Sequence, residues 1–278
     1  MKSLEKVFSG RWIAGPYVSD AITIAEKLHN LKITPILNFL GEELCDIDEI
    51  NNTVKEYMTL ISHIKKISEV QISIKPTQIG LLIGEDELFK NYNLIIKKAQ
   101  KYKIFTWLDM ESYSHVDKTI DLYLENKYKN TGICIQSYLK RSNNDIRKLI
   151  KNNASIRLVK GAYSEKENIS YNRKNSTVNY FKLMKLLFEK SGDFMLATHD
   201  ISIIKESFNL CVKYKKEPQY AMLYGIRNKL ALEMASTHKI CLYVPFGEKW
   251  ISYSYRRFKE LSNISLVLRS LLEAQKIN

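Results

Sequence analysis

Gly132–Tyr163 has the sequence GICIQSYLKRSNNDIRKLIKNNASIRLVKGAY, and this stretch carries the pattern that decides the fold. Its two ends, Gly132–Tyr138 and Ile156–Val159, are short β-rich runs, and most such runs in this chain have apolar residues on consecutive positions. Strands with one face in water alternate apolar and polar residues, so consecutive apolar positions indicate parallel strands covered on both faces. A segment of helical periodicity separates the two runs. The stretch therefore predicts a strand, a helix and a second, parallel strand.

The same unit recurs along the chain. Helical periodicity is clear in Asn179–Phe188 and Ile201–Val212, and Asn51-Asn52-Thr53 is a candidate capping segment for a helix that contains Val54 and Ile61. The predicted strands are Ile33–Leu40, Gln71–Lys75, Ile104–Met110, Gly132–Tyr138, Ile156–Val159, Phe194–Ala197, Gln219–Leu223 and Ile240–Val244.

Eight strands with seven intervening helices predict an α/β fold, the (β/α)8 TIM barrel. The pattern alone leaves a doubly wound parallel sheet open. An extra helix, Asp20–Asn30, precedes the first strand. Another extra helix follows the last unit, with Ile264, Leu268, Leu271 and Leu272 on its buried stripe.

Composition limits the class of protein. Hydrophobic residues make up 45% of the 278 residues and charged residues 26%, which excludes a disordered or collagen-like chain. No apolar run approaches the ~20 residues that span a bilayer, and the first residues lack the apolar core of a secretory signal. Cys45, Cys134, Cys211 and Cys241 show no metal-binding spacing, so we expect reduced thiols and no metal. We therefore predict one domain, residues 1–278, in the cytoplasm.

The chain is strongly basic. Its 43 lysine and arginine residues exceed its 30 acidic residues and give a formal net charge of +13. Such a field favours anionic partners, namely nucleic acid, an acidic lipid surface or a charged substrate. The basic residues are spread over amphipathic segments, so solvated helix faces are the simpler explanation and we expect no nucleic-acid partner.

Polar residues follow most of the predicted strands. In a (β/α)8 barrel, the chemistry lies at the carboxyl ends of the strands. Seven of the eight predicted ends carry a charged or polar side chain, and these residues are Glu42, Glu43, Lys75, Asp109, Glu111, Gln136, Arg157, Lys160, Thr198, His199, Asp200 and Tyr243.

Two motifs indicate anion binding. Arg157–Tyr163, RLVKGAY, combines two cations with a Gly-Ala turn, which suits a flavin and its pyrophosphate or another phosphate-bearing ligand. A buried arginine paired with a carboxylate explains this motif equally well. Tyr253, Arg256 and Arg257 lie at positions i, i+3 and i+4 of a predicted helix, where two guanidiniums suit a carboxylate, although a solvated arginine pair is the simpler explanation.

Together these motifs resemble those of a known family. They occur in the order FLGEE (39–43), ISIKPT (72–77), LDMES (108–112), QSY (136–138), RLVKGAY (157–163), ATH (197–199), YGIR (224–227), YVPFG (243–247) and YSYRR (253–257). The set is similar to that of the FAD-dependent proline dehydrogenases, of the short monofunctional bacterial and archaeal type. The resemblance extends from Trp12 to Leu272.

The resemblance implies a distorted (β/α)8 barrel whose final helix lies over the strand ends. It implies oxidation of L-proline to 1-pyrroline-5-carboxylate, the first step of proline catabolism, by hydride transfer from proline C5 to N5 of FAD. The electrons then pass to a membrane quinone, and a separate pyrroline-5-carboxylate dehydrogenase consumes the product. Because the quinone lies in the membrane, the protein must reach it. Together with the net charge of +13, this suggests a peripheral contact of the protein with anionic lipid at the inner face of the cell membrane.

The resemblance also implies roles for individual residues. Asp109 and Arg157 would be catalytic, with Arg157 beside the flavin. The substrate-binding residues would be Lys75, Glu42, Tyr163, Tyr243, Tyr253, Arg256 and Arg257. The cofactor-binding residues would be Arg157, Met110, Gln136, Lys160, Gly161, Ala162, Thr198, His199 and Lys174.

Two other functions stay open on the residues alone. A lysine at a barrel strand end, Lys160 or Lys75, is compatible with a lyase or aldolase that forms a Schiff base. The basic charge is compatible with a nucleic-acid-binding domain. The absorption spectrum of the purified protein separates these alternatives from a flavoprotein.

Overall fold

A closed barrel of eight parallel strands forms the centre of the computed structural model, which describes residues 12–126 and 128–250. The strands follow one another around the barrel in sequence order. They are β1 (Thr34–Phe39), β2 (Gln71–Ile74), β3 (Phe105–Leu108), β4 (Thr131–Gln136), β5 (Ser155–Val159), β6 (Phe194–Ala197), β7 (Gln219–Leu223) and β8 (Ile240–Phe246). The predicted barrel is confirmed, and the doubly wound sheet is excluded.

Helices alternate with the strands. The first, α1 (Val18–Asn30), precedes β1 and is the predicted extra N-terminal helix. The connecting helices in the described residues are α2 (Ile47–Ile64), α3 (Glu85–Lys101), α4 (Val116–Glu125), α5 (Ser142–Lys151), α6 (Arg173–Lys190), α7 (Ile201–Tyr214) and α8 (Asn228–Ala235). None of these described helices combines the length and the apolar character needed to cross a membrane. The predicted extra C-terminal helix lies outside the described residues.

The chain divides into two compact units. The first contains the residues up to Thr106 and those from Met222 onward, and the second is Trp107–Ala221. In the first unit, β1 pairs with β8 over six positions and with β2 at Ile36 and Leu37. In the second unit, β4 pairs with β5 and β5 with β6. All residues of β2 and β4 are buried, as expected of parallel strands that are covered on both faces.

The start of α2 differs from the prediction. Its N-cap is Asp46, whose Oδ1 accepts hydrogen bonds from the backbone N–H groups of Asp48, at 2.9 Å, and Glu49, at 3.0 Å. The predicted cap at Asn51-Asn52-Thr53 is wrong because these residues lie inside the helix. Thr53 there is buried, and its hydroxyl donates to the Glu49 carbonyl at 2.9 Å.

Short turns of one type lead from several helices into the next strand. In each, a non-glycine residue has left-handed backbone angles, and the next N–H reaches back to a carbonyl in the last turn of the helix, which closes a Schellman motif. The left-handed residues are Lys32 (φ 60°), Lys103 (φ 58°) and Asn153 (φ 53°). The closing bonds join Ile33 to Leu28 at 3.0 Å, Ile104 to Ala99 at 2.9 Å and Ala154 to Leu149 at 3.1 Å.

Candidate active site

A buried guanidinium lies in the second unit. Arg157, on β5, is 3% exposed and forms an ion pair with Asp109, which directly follows β3. Its Nε donates to the Sγ of Cys134, on β4, at 2.8 Å. The guanidinium carbon lies 5.1 Å from the centroid of the Trp107 ring. A carboxylate, a thiol and an indole therefore hold this cation together, and we call the four residues the arginine cluster.

Strand alternation and register bring the cluster together. Cys134 is the direct partner of Arg157 in the β4–β5 ladder, so the two side chains share one face. Trp107 and Asp109 are two residues apart along β3 and its end, which also places them on one face. Gly132 provides room, because a Cβ on this residue would overlap the Trp107 ring.

The charges of the cluster are balanced inside the protein. A buried guanidinium is costly unless it is paired, and Asp109 supplies the opposite charge. Burial raises the pKa of the Cys134 thiol to about 12, although the nearby charge of Arg157 acts in the opposite direction. The thiol is therefore neutral at physiological pH. Its Sγ accepts from Arg157 and lies 3.5 Å from the Asp109 Oδ1, to which it donates.

Polar groups of β4 and of the loop after β5 lie in the same unit. Gln136 is 2% exposed, and its Nε2 donates to the Met110 carbonyl at 3.2 Å. Its buried Oε1 has no hydrogen-bond partner within residues 12–126 and 128–250. Gly161 has φ of +108°, and a Cβ there would overlap the Tyr138 ring, so only glycine fits this close approach.

Lys160 follows β5 and pairs with Asp200 at 3.0 Å. Asp200 is the N-cap of α7, where its Oδ1 accepts from the Ser202 N–H at 3.0 Å. Thr198 holds the backbone of Asp200, since its Oγ1 accepts from the Asp200 N–H at 3.0 Å. Burial acts to raise the pKa of Asp200, but the hydrogen bonds from Ser202 and Lys160 outweigh it and lower the pKa.

The start of α6 is unusually basic. Its first two residues are Arg173 and Lys174, and its first turn holds no acidic residue. The positive end of a helix dipole favours negative groups and disfavours cations. By contrast, Asp46, Asp48 and Glu49 surround the start of α2. The basic start of α6, where the Asn172 side chain accepts from the Asn175 N–H at 2.9 Å, therefore suits an anionic ligand.

A second cluster lies in the first unit. Lys75 is 9% exposed, and its Nζ donates to the Tyr243 hydroxyl at 3.3 Å and lies 3.9 Å from the Glu42 Oε1. The Lys75 ammonium is also 5.9 Å from the centroid of the Tyr243 ring. Three strands therefore contribute to one cluster: Lys75 from the end of β2, Glu42 from the end of β1 and Tyr243 from β8. We call these three residues the lysine cluster.

Gln78 fixes the backbone beneath Lys75. Its Oε1 accepts from the Lys75 N–H at 3.2 Å, and its Nε2 donates to the Phe39 carbonyl at 2.5 Å, which ties the ends of β2 and β1 together. Tyr57 of α2 donates its hydroxyl to the Ser73 carbonyl at 2.7 Å. A fully buried amide and a fully buried phenol thus hold the strand end that carries the ammonium.

The structure brings the residues singled out in the sequence together within each unit. Asp109 and Arg157 meet in the second unit, and Lys75, Glu42 and Tyr243 meet in the first. Met110 and Thr198 are buried, Tyr163, Ala162 and His199 are half-buried, and Lys174 is exposed. Tyr253, Arg256 and Arg257 lie outside the described residues.

Sequence reasoning missed three residues that support these sites, namely Trp107, Cys134 and Gln78. Trp107 lies two residues before Asp109, and Cys134 lies two residues before Gln136. Because side chains two positions apart on a strand share a face, strand periodicity could have predicted both residues. Asp200 was among the polar residues named at the strand ends, but its role as the N-cap of α7 was not predicted, although it stands directly before that helical pattern. Gln78 gave no signal, because its role depends on the spacing of two strand ends.

Comparison with known proteins identifies the family. A family model described as proline dehydrogenase matches residues 21–269. The chain belongs to the proline dehydrogenase family. Among the members, proline dehydrogenase 1 of Bacillus subtilis (strain 168) is 31% identical over 272 residues, which cover 95% of this chain and 90% of that protein. The proline dehydrogenase of Deinococcus radiodurans is 30% identical over 278 residues, with 95% and 89% covered.

Solved structures share the fold of this family member. Proline utilization A from Bdellovibrio bacteriovorus, inactivated by N-propargylglycine, superposes with a TM-score of 0.85 at 22% identity, over 98% of this chain and 34% of that one. A variant of proline utilization A from Bradyrhizobium japonicum gives a TM-score of 0.77 at 16% identity, over 90% and 30%. The chain thus spans about a third of these longer proteins.

Proposed function

We propose that this protein oxidises L-proline to 1-pyrroline-5-carboxylate with FAD as its cofactor, as the first step of proline catabolism. The observation that carries the proposal is the arginine cluster, a buried guanidinium held by Asp109 in a chain that belongs to the proline dehydrogenase family over most of its length. A fixed, buried cation suits a reaction in which negative charge develops on a bound group.

The residues of the second unit fit FAD. The buried Oε1 of Gln136, which lacks a partner in the part of the chain that the structure describes, suits an N–H donor of a ring system. Lys160 and the basic start of α6, with Lys174, suit the pyrophosphate. Met110, Gly161, Ala162, Thr198 and His199 complete the proposed binding residues, and bound FAD would supply a hydride acceptor at N5 for the hydrogen on proline C5.

Arg157 and Asp109 act as one unit in this proposal. Arg157 provides positive charge without a change of conformation, because Asp109, Cys134 and Trp107 already hold its guanidinium. A charge held in advance costs no reorganisation when the reaction occurs. Asp109 balances this charge.

The lysine cluster fits the substrate. The Lys75 ammonium suits the carboxylate of proline, and Glu42, at 3.9 Å, offsets the lysine charge when no substrate is bound. Tyr243 and Tyr163 would line the proline ring. On the resemblance described above, we assign the remainder of the carboxylate site to Arg256 and Arg257, with Tyr253 beside them.

The proposal extends to the fate of the electrons and of the product. A membrane quinone would accept the electrons, which requires a protein in the cytoplasm to contact the inner face of the membrane. A net charge of +13 supports reversible attraction to anionic lipids. A separate pyrroline-5-carboxylate dehydrogenase would consume the product.

The absorption spectrum of the purified protein tests the proposal. We expect flavin bands in the visible region that bleach when L-proline is added without oxygen, and a product with the mass of pyrroline-5-carboxylate. Lys75→Met should abolish bleaching by proline but not by dithionite, whereas Lys97→Met, on the exposed face of α3, should behave like the wild type. A colourless protein that leaves proline unchanged, even after incubation with FAD, would refute the proposal.

A chemical probe gives a second test. N-propargylglycine inactivates the proline utilization A of Bdellovibrio bacteriovorus. We expect the same compound to inactivate this protein progressively, and excess L-proline to slow the loss of activity. Inactivation that proline does not slow would count against a shared substrate site.

A further inference from the structure

We propose that Cys134 is a positioning residue that sets the direction of the Arg157 guanidinium through a neutral thiol. This inference rests on the proposed function and assigns a role to a side chain that the residues implied by the family resemblance do not include. The thiol lies between the two charged members of the arginine cluster, 2.8 Å from the Arg157 Nε and 3.5 Å from the Asp109 Oδ1.

The guanidinium is planar, and its N–H groups form a rigid fork. Nε donates to Cys134, and Nη2 donates to Asp109, so both contacts lie on the same edge of the fork. The Cys134 contact therefore adds a second restraint to the edge of the plane that Asp109 holds. Through this restraint, Cys134 acts on the direction in which the rest of the guanidinium points.

The chemistry of the thiol suits this position. A neutral thiol both accepts and donates, so it accepts from Nε and donates its S–H to Asp109. A thiolate would accept from both sides and repel the Asp109 carboxylate. The side chain is 3% exposed, and burial keeps it protonated. Valine or alanine at this position would leave Nε without this acceptor.

Three variants separate hydrogen bonding from packing. Cys134→Ser keeps a donor and an acceptor, and Cys134→Val fills the position with a somewhat larger apolar side chain that has neither group. Cys241→Val is the matched control, since Cys241 is also a buried cysteine on a strand, β8, and is 1% exposed. We expect Cys134→Val to lower kcat by about tenfold, equivalent to about 1.4 kcal/mol, with KM for proline nearly unchanged. Cys134→Ser should retain most of the wild-type kcat, as should Cys241→Val.

A measurement without substrate completes the test. A double-mutant cycle of Cys134→Val and Arg157→Met, followed by chemical denaturation, should show that the two losses of stability are not additive. Additive losses, or equal kcat values for Cys134→Val and Cys134→Ser, would overturn the proposal. If Cys134→Val does not fold, Cys134→Ala takes its place in the same measurements.

The outcomes also separate this proposal from the proposed function. If the wild-type protein does not oxidise proline, the proposed function is refuted and kcat cannot be compared. The double-mutant cycle then still decides whether Cys134 holds Arg157. If proline is oxidised and the cycle shows no coupling, only the role of Cys134 is refuted.

Discussion

At the scale of single residues, the buried ion pair of Arg157 and Asp109 links stability with chemistry. We expect Arg157→Met to destabilise the protein by about 3–5 kcal/mol, because it leaves the Asp109 carboxylate buried without its partner. With FAD bound as in the proposed function, flavin reduction by proline should slow by on the order of 10²-fold, and the midpoint potential of the flavin should fall. Stopped-flow spectra and potentiometric titration measure both effects.

Two further variants make this prediction specific. Arg157→Lys keeps the charge but not the fork, so its flavin potential should lie between those of the wild type and Arg157→Met. Arg157→Met combined with Asp109→Leu removes both charges and should recover part of the lost stability. A potential that is identical in all these proteins would mean that Arg157 does not act on the flavin.

Asp200 makes the stability depend on pH. Hydrogen bonds from Ser202 and Lys160 lower its pKa below the ordinary value of 3.8. Its contribution is therefore complete above pH 3.8 and is lost as the pH falls through the lower pKa of the folded state. Asp200→Ala should cost about 1 kcal/mol at pH 7 through the lost cap of α7. Chemical denaturation of both proteins, from about pH 2.5 to about pH 7, measures this difference in the free energy of unfolding.

The control for this prediction is Lys160→Met, which keeps the cap and removes the ion pair. Its free energy of unfolding should lie between those of the wild type and Asp200→Ala at neutral pH. If the gap between wild type and Asp200→Ala stays constant over the whole acid range, the carboxylate does not provide the stabilisation that the structure indicates.

At the scale of elements, the turns from helix to strand store strain. Lys103 has a left-handed backbone between α3 and β3, which costs a residue with a Cβ roughly 1 kcal/mol. Lys103→Gly should therefore raise the free energy of unfolding by about 0.5 kcal/mol, after the greater freedom of glycine in the unfolded chain is subtracted. Thermal and chemical denaturation measure the change.

Lys97→Gly provides the opposite case, because Lys97 lies inside α3, the helix that precedes Lys103. Lys97 is exposed in the interior of α3, where glycine costs about 1 kcal/mol. The two substitutions replace the same residue type six positions apart and should shift stability in opposite directions. Loss of stability in both would mean that the side chain of Lys103 contributes more than its backbone conformation costs.

The strands could be predicted from the sequence more closely than the clusters. Buried parallel strands have an apolar pattern of their own, so the predicted bounds of β6 and β7 equal those observed. The start of α2 was mispredicted because cap-type residues, Asn51 and Asn52, also occur inside helices. The pairing of Cys134 with Arg157 depends on the register of β4 against β5, which no local pattern encodes.

At the scale of the whole molecule, the net charge of +13 predicts salt-sensitive binding to membranes. Each basic residue near an anionic surface contributes up to about 1 kcal/mol, and added salt screens this attraction. We expect the protein to sediment with vesicles that contain anionic lipid at low salt and to remain in the supernatant at high salt. Neutral vesicles are the control, and equal binding to both kinds would exclude an electrostatic contact.

The packing of Trp107 against the Arg157 guanidinium also has an optical consequence. The chain contains three tryptophans, and Trp107 is the one whose indole lies beside this buried charge, while Trp250 packs against Ile13 and Leu40. Replacement of Trp12 and Trp250 by phenylalanine would leave one fluorophore inside the arginine cluster. Its emission would then change whenever the guanidinium moves, so the protein contains its own spectroscopic probe of the residue on which the proposed chemistry depends.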